Sequence, residues 1–232
     1  MIKKILLYIL LPVVIPALGL YVALKLTTAT VHEMPKLENG DIVFQTMNSP
    51  QAMAIMFASN TVYTHVGIVK VGDRGEVTII QAMNPVKETP LNEWIEQGIA
   101  KRMTVKRLLN IDSDTAKNVV DIAYGYLNTP YDLHFLFDDD EMYCSELVYK
   151  VFKKAGIELG EIEIVKDLNI ENFAVTKLIE NRWEGNQGCV KTKAKSYEEC
   201  YKLIMNQKVI TPESIAHDEK LQTIYTNYGI AE

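Results

Sequence analysis

Thr64-His65-Val66-Gly67-Ile68-Val69, then Gly72-Asp73-Arg74-Gly75, then Val77-Thr78-Ile79-Ile80-Gln81-Ala82 is the stretch that most narrows the fold. Two β-branched runs joined by a glycine-flanked turn predict an antiparallel hairpin. Ile42-Val43-Phe44-Gln45, after the turn Asn39-Gly40-Asp41, and a run over 102–108 predict further strands. Apolar residues at helical spacing predict helices over 49–57 and 91–99, and from Asp112 or Ser113 to Leu127, where Ala116, Val119, Val120, Ala123 and Leu127 form the apolar face. Another runs from 144 to about 155, ending at Lys153, Lys154 and Gly156. Ser196-x-x-Glu199 is a capping box that opens a helix to about Gln207, and Thr211-Pro212 opens one or two turns more. Residues 161–188 read as strand and loop. The expected class is α+β, a small antiparallel sheet packed against helices.

The N-terminus obeys other rules. Ile5 to Leu24 is uncharged and follows Lys3 and Lys4, with Lys25 behind it. About twenty apolar residues span a bilayer, so residues 1–26 read as a hydrophobic helix, a membrane anchor or a signal segment. The positive flank places the remainder outside the cytoplasmic membrane. Residues 27–38 then form a linker and 39–232 a domain, either tethered through residues 5–24 or secreted if the segment is cleaved. Without Lys3, Lys4 and Lys25 there remain 21 basic against 30 acidic residues. That balance and the absence of a basic stripe exclude nucleic acid as a partner. Charge gives this domain no attraction to an anionic lipid surface.

Chemistry concentrates at Met142-Tyr143-Cys144-Ser145-Glu146-Leu147-Val148. Cys144 falls in the first helical turn, on the face of Leu147 and Val148. There, free backbone N–H groups and the helix dipole lower a thiol pKa. A cysteine nucleophile needs a base, and the base needs an orienting group. Of four histidines, His65 has a rigid strand to hold it, with the small Gly67 and Val69 as alternating neighbours. His134 lies in the loop ten residues before Cys144; His32 is in the linker and His217 in a polar tail. Gln81, on the next strand, can accept from the imidazole if a bulge or an odd-numbered loop corrects the ideal register, which pairs His65 with Ala82. Asp138-Asp139-Asp140-Glu141 reads as a solvated turn, because consecutive carboxylates point in different directions. The chemistry calls for no metal or organic cofactor. Cys189 and Cys200 can pair with each other or stay free, which leaves Cys144 odd.

Gly40-Asp41-Ile42-Val43-Phe44, Thr64 to Val69, Tyr131-Asp132 and Tyr143 to Val148, in that order, resemble the circularly permuted papain-fold amidases of the YiiX and YaeF type, relatives of NlpC-type cell-wall hydrolases. The resemblance covers roughly 39–155, with a weaker likeness around Ile210-Thr211-Pro212. It implies a permuted papain-like fold with the histidine strand ahead of the cysteine helix. It implies Cys144 as nucleophile, His65 as general base, and Tyr131 as the hydroxyl that holds the oxyanion with a backbone N–H. Gln81 stands where the family usually has a Glu, a departure that weakens a thiolate–imidazolium pair. The substrates implied are a peptidoglycan peptide, or an acylated lipid or amino acid as in the related lecithin:retinol acyltransferase-type enzymes. A peptide predicts polar anchors in the cleft; a lipid predicts an apolar tunnel beside Cys144. The apolar residues over 50–57 read as core before they read as a wall of such a tunnel. A non-catalytic binding domain on the same fold is the rival reading.

Overall fold

A computed structural model describes residues 34–229. The expected N-terminal hydrophobic helix lies outside these residues; among them, no helix is long and apolar enough to cross a membrane.

The domain opens at Gly40, whose φ of +82° is a conformation that costs glycine little. The buried Asp41 follows and accepts from Arg107 Nε at 2.7 Å and Nη2 at 2.8 Å. This bidentate pair ties the first strand to a distant one. In chain order come β1 (Ile42–Gln45), α1 (Ala52–Ser59), β2 (His65–Val71), β3 (Val77–Gln81), β4 (Lys87–Pro90), α2 (Leu91–Gln97) and β5 (Thr104–Leu108). Then follow α3 (Ser113–Tyr124), α4 (Cys144–Lys154), β6 (Glu163–Ile164), α5 (Phe173–Arg182) and α6 (Gln187–Lys191). Last are α7 (Tyr197–Met205), β7 (Lys208–Val209), α8 (Pro212–Ala216) and β8 (Leu221–Thr226). Six strands form one sheet in the order β4-β3-β2-β1-β5-β8, antiparallel throughout, and β6 pairs with β7.

Alternation along the strands builds two cores. Ile42, Phe44, Val66, Ile68 and Ile80 face Val119, Val120 and Ala123 of α3 and Leu147, Val148, Val151 and Phe152 of α4. Val43, Val69, Ile79 and Val105 face Leu91, Trp94 and Ile95 of α2. Cover on both faces is why the strands read as continuous apolar runs. The α4 helix is the central packing unit: Leu147 and Val148 are fully buried, and Leu147→Ala is expected to cost about 2–5 kcal/mol. It ends where Gly156 takes φ +86°.

Several elements depart from the sequence expectation. The α2 helix stops at Gln97 because Gly98 is extended, and a single 3₁₀ turn, Ile99–Lys101, follows. The α3 helix ends at Tyr124 rather than near Leu127. β4 and β8 were not expected, since Lys87-Glu88-Thr89-Pro90 and Leu221-Gln222-Thr223 read as polar; both lie at the edges of the sheet. Residues 161–188 are mainly helical rather than strand and loop, with only the two-residue β6 extended. The α5 helix hides its period because Val175 is its only buried residue, while Phe173 is 83% exposed. Cys189 and Cys200 are joined in a disulfide that links α6 to α7, and Cys144 is a free, buried thiol.

Candidate active site

The base side of the site belongs to the sheet. Five residues, 72–76, connect β2 to β3, and Val71 pairs with Val77. This odd-numbered loop puts Gln81 on the same face as His65, one diagonal step away, where long side chains reach each other. Gln81 Oε1 lies 2.6 Å from His65 Nε2. Gln81 Nε2 donates to Thr89 Oγ1 at 2.9 Å and to Gln97 Oε1 at 3.2 Å. Gln97 Oε1 can only accept, so the Gln81 amide is oriented with its oxygen toward the imidazole. Nε2 of His65 therefore carries the proton and Nδ1 keeps its lone pair, the tautomer a general base needs. Gly67 sits against this arrangement: a Cβ there would approach Ile79 Cγ2 to 2.5 Å.

By alternation His65 and Gln81 share a face with Val43 and Val69, whereas α4 covers the opposite face. The β2–β3 ladder ends at the pair Ile68 with Ile80, so His65 and Val66 lie beyond its last rung. There Cys144 accepts a hydrogen bond from the Val66 backbone N–H, one peptide unit from His65. Ser145 anchors the start of α4 by donating to Ile210 O at 2.8 Å, and Tyr143 Oη accepts from Ile210 N at 3.0 Å.

Burial dominates the electrostatics. It pushes the Cys144 thiol up to about 11, against the lowering effect of hydrogen bonds from Val66 and Ser145. It pulls His65 down to about 4, against the hydrogen bond to Gln81. The expected lowering by the helix start is present but outweighed. Both groups therefore rest neutral, Cys144 as a thiol and His65 as an imidazole. An amide in place of a carboxylate suits that state, since no imidazolium needs a counter-charge.

Tyr131 supplies the opposite side. Its hydroxyl accepts from Gln51 Nε2 at 2.7 Å, and Gln51 Oε1 accepts from Arg182 Nη2 at 3.0 Å. Arg182 Nη1 donates to Leu133 O at 2.7 Å. Because Tyr131 receives rather than gives in this chain, its own proton is left to donate. Burial, with Cys144 close by, raises its pKa well above the ordinary value and keeps that proton in place. Gln51 and Arg182 were not read from the sequence; they lie 80 and 51 residues from Tyr131 and carry no local signal.

An apolar pocket opens beside Cys144. Its cavity volume is about 130 Å³, and Ala54, Ile55, Leu168, Val175, Ile179 and Ile204 are among its lining residues. Of the 50–57 segment, Ala54 and Ile55 line this pocket, while Ala52 and Ala54 are buried. His134 lines this pocket, while His217 is exposed and pairs with Glu213 at 3.0 Å. His32 lies outside the described residues. Asp138 to Asp140 do form a turn, Asp140 N donating to Asp138 Oδ1 at 3.1 Å, and Asp139 pairs with Lys150 at 2.7 Å. Asp132, His134 and Glu141, by contrast, converge, each offering a ligand atom within 4.8 Å of the others.

A histidine strand ahead of a cysteine helix, on an antiparallel sheet flanked by helices, defines a permuted papain-like cysteine amidase. The chain belongs to the family of permuted papain-like amidase enzymes of the YaeF/YiiX type, the C92 family, which it matches over residues 36–225. It is 29% identical over 189 residues to the uncharacterized protein YiiX of Escherichia coli (strain K12), covering 81% of this chain and 85% of that one. The crystal structure of the metalloprotein YiiX from Escherichia coli O157:H7 superposes with a TM-score of 0.72 at 28% identity, covering 83% of this chain and 98% of that one.

Proposed function

We propose that this protein hydrolyses an amide or ester bond to a long apolar acyl group, with Cys144 as nucleophile and His65 as general base. The observation that carries the reading is the aliphatic pocket beside Cys144. An acyl chain gains about 0.8 kcal/mol for each CH₂ it buries, whereas the charged ends of a peptidoglycan peptide need polar anchors that aliphatic walls do not offer.

His65 Nδ1 takes the thiol proton as Sγ bonds to the carbonyl carbon, so a stable thiolate need not accumulate first. The oxyanion is held by the Cys144 N–H and the Tyr131 hydroxyl. On collapse, the C–N or C–O bond breaks and His65 returns the proton to the leaving amine or alcohol. His65 then deprotonates a water that attacks the thioester, releasing the carboxylic acid and restoring the thiol. The YiiX relative is a metalloprotein. The residues of this chain that fit a divalent ion, Asp132, His134 and Glu141, stand outside this pathway, and no step passes through them. Export, with the N-terminal segment as tether or signal, would bring the domain to acylated substrates in the envelope.

The high thiol pKa and Gln81 favour one rival, a binding domain that keeps the fold without turnover. One experiment separates the readings. The full chain is incubated with a sixteen-carbon acyl ester or a muropeptide and followed by intact mass. An acyl adduct on Cys144 with release of the free acid is expected from the ester. Muropeptide cleavage alone would overturn the acyl assignment, and saturable binding without an adduct would point to the binder.

A further inference from the structure

We propose that Asp132, His134 and Glu141 form a binding site for a divalent transition-metal ion that braces the oxyanion loop against the start of the cysteine helix. The backbone explains why these residues meet. Met142 N donates to Pro130 O at 2.9 Å and Asp132 N to Met142 O at 3.3 Å, so the two ends of the 130–142 loop run side by side. Glu141, just before α4, is thereby brought to Asp132. The Asp132 side chain folds His134 back as well, its Oδ1 accepting from His134 N at 2.7 Å.

Two atoms then lack what burial demands. Asp132 is 1% exposed; the Leu136 N–H approaches its carboxylate, but Oδ2 makes no hydrogen bond of good geometry, and His134 Nδ1 is likewise buried and unpartnered. A buried carboxylate oxygen without a well-aligned donor is costly. Arg182, within electrostatic reach of Asp132, directs its guanidinium to Leu133 O and Gln51 Oε1 instead. A cation among the three residues would satisfy both atoms. Bonds of about 2.0–2.2 Å ask the ligands to draw slightly closer than their present spacing, within reach of side-chain rotation. One imidazole nitrogen with two carboxylates selects Zn²⁺ or Mn²⁺ over Ca²⁺ and Mg²⁺, which prefer shells of oxygen. Three protein ligands leave a position for water. The loop so braced carries Tyr131, and its far end leads into Cys144.

The test uses tag-free, chelator-stripped full chain carrying Cys144→Ala, so that the thiol cannot serve as a ligand. Calorimetric titration with Zn²⁺, and separately with Mn²⁺, is expected to show one ion per chain and a Tm rise of about 5–10 °C at a hundredfold excess over Kd. Adding Asp132→Asn, which keeps the acceptor for His134 N, is expected to weaken binding at least 100-fold. Glu141→Gln, at a less buried position, is expected to weaken it about tenfold and covers the case in which Asp132→Asn fails to fold. Absence of binding by the Cys144→Ala protein would overturn the proposal. So would affinity unchanged in the folded ligand variants.

Discussion

The two walls that flank Cys144 are built by different means. On the sheet side, His65, Gln81 and Thr89 stand on adjacent strands, and the hydrogen-bonded ladder fixes their spacing. On the loop side, Tyr131 is held by Gln51 from the residue preceding α1, which is held by Arg182 at the end of α5. Breaking the first wall means breaking the sheet. Moving the second requires only side chains to exchange partners, and α1 and α5 both line the apolar pocket. Under the proposed mechanism the base is therefore set in place before substrate arrives, whereas the oxyanion donor is coupled to whatever fills the pocket. If the proposed acyl chain is the substrate, its binding energy has a physical route to the reacting carbonyl through Gln51 and Arg182.

The largest expected effects fall on the chemistry that both walls serve. Cys144→Ser should lower kcat on an acyl ester by at least about 10³-fold and abolish the adduct seen by mass spectrometry. His65→Ala should cost about 10²–10⁴-fold in kcat. Across the site, Tyr131→Phe removes one oxyanion donor and should cost about 10²-fold in kcat with little change in KM. Gln51→Leu, which leaves the tyrosine but frees its hydroxyl to turn, should cost about tenfold; an effect as large as that of Tyr131→Phe would show that Gln51 carries the loop wall. Gln81→Glu restores a carboxylate beside His65, raising the imidazole pKa and lowering that of the thiol. Alkylation of Cys144 should then begin at lower pH than in wild type, where burial pushes the thiol up to about 11.

The smallest effect is on stability. The folded pKa of His65 is pulled from 6.5 to about 4, so the unfolded chain binds the extra proton between those values. The stability that comes from burying His65 neutral is fully present above pH 6.5 and is lost as pH falls toward 4, about 3 kcal/mol in all. His65→Gln should flatten that part of the curve in urea melts run at successive pH values.

The same contrast governs what could be read from the chain. The placement of Cys144 at a helix start and of His65 on a strand was legible because helix and strand periods are local, and the His65–Gln81 contact because hairpin parity is simple once the loop length is odd. The family order carried Tyr131. Gln51 and Arg182 were not legible, since only the folded chain brings residues 51, 131 and 182 together. The direction of the thiol pKa was not legible for a related reason: the helix start is visible in sequence, but the depth of burial that outweighs it is not. Edge strands β4 and β8 escaped because their outward residues are polar, and α5 because its apolar residues face a pocket rather than a core. Glu141 was read with its acidic neighbours as a turn; the pairing of Met142 with Pro130 and Asp132 sets it apart.

The central claim is that the pocket beside Cys144 receives an acyl chain that is then cut from its amide or ester. It is tested most directly by kcat/KM for a series of acyl esters from two to sixteen carbons, in wild type and in Ala58→Phe, which fills the pocket from α1. Wild type is predicted to gain up to about fourfold per CH₂ until the pocket is full, and Ala58→Phe to reach its plateau at shorter chains. A flat response to chain length in both proteins would contradict the account.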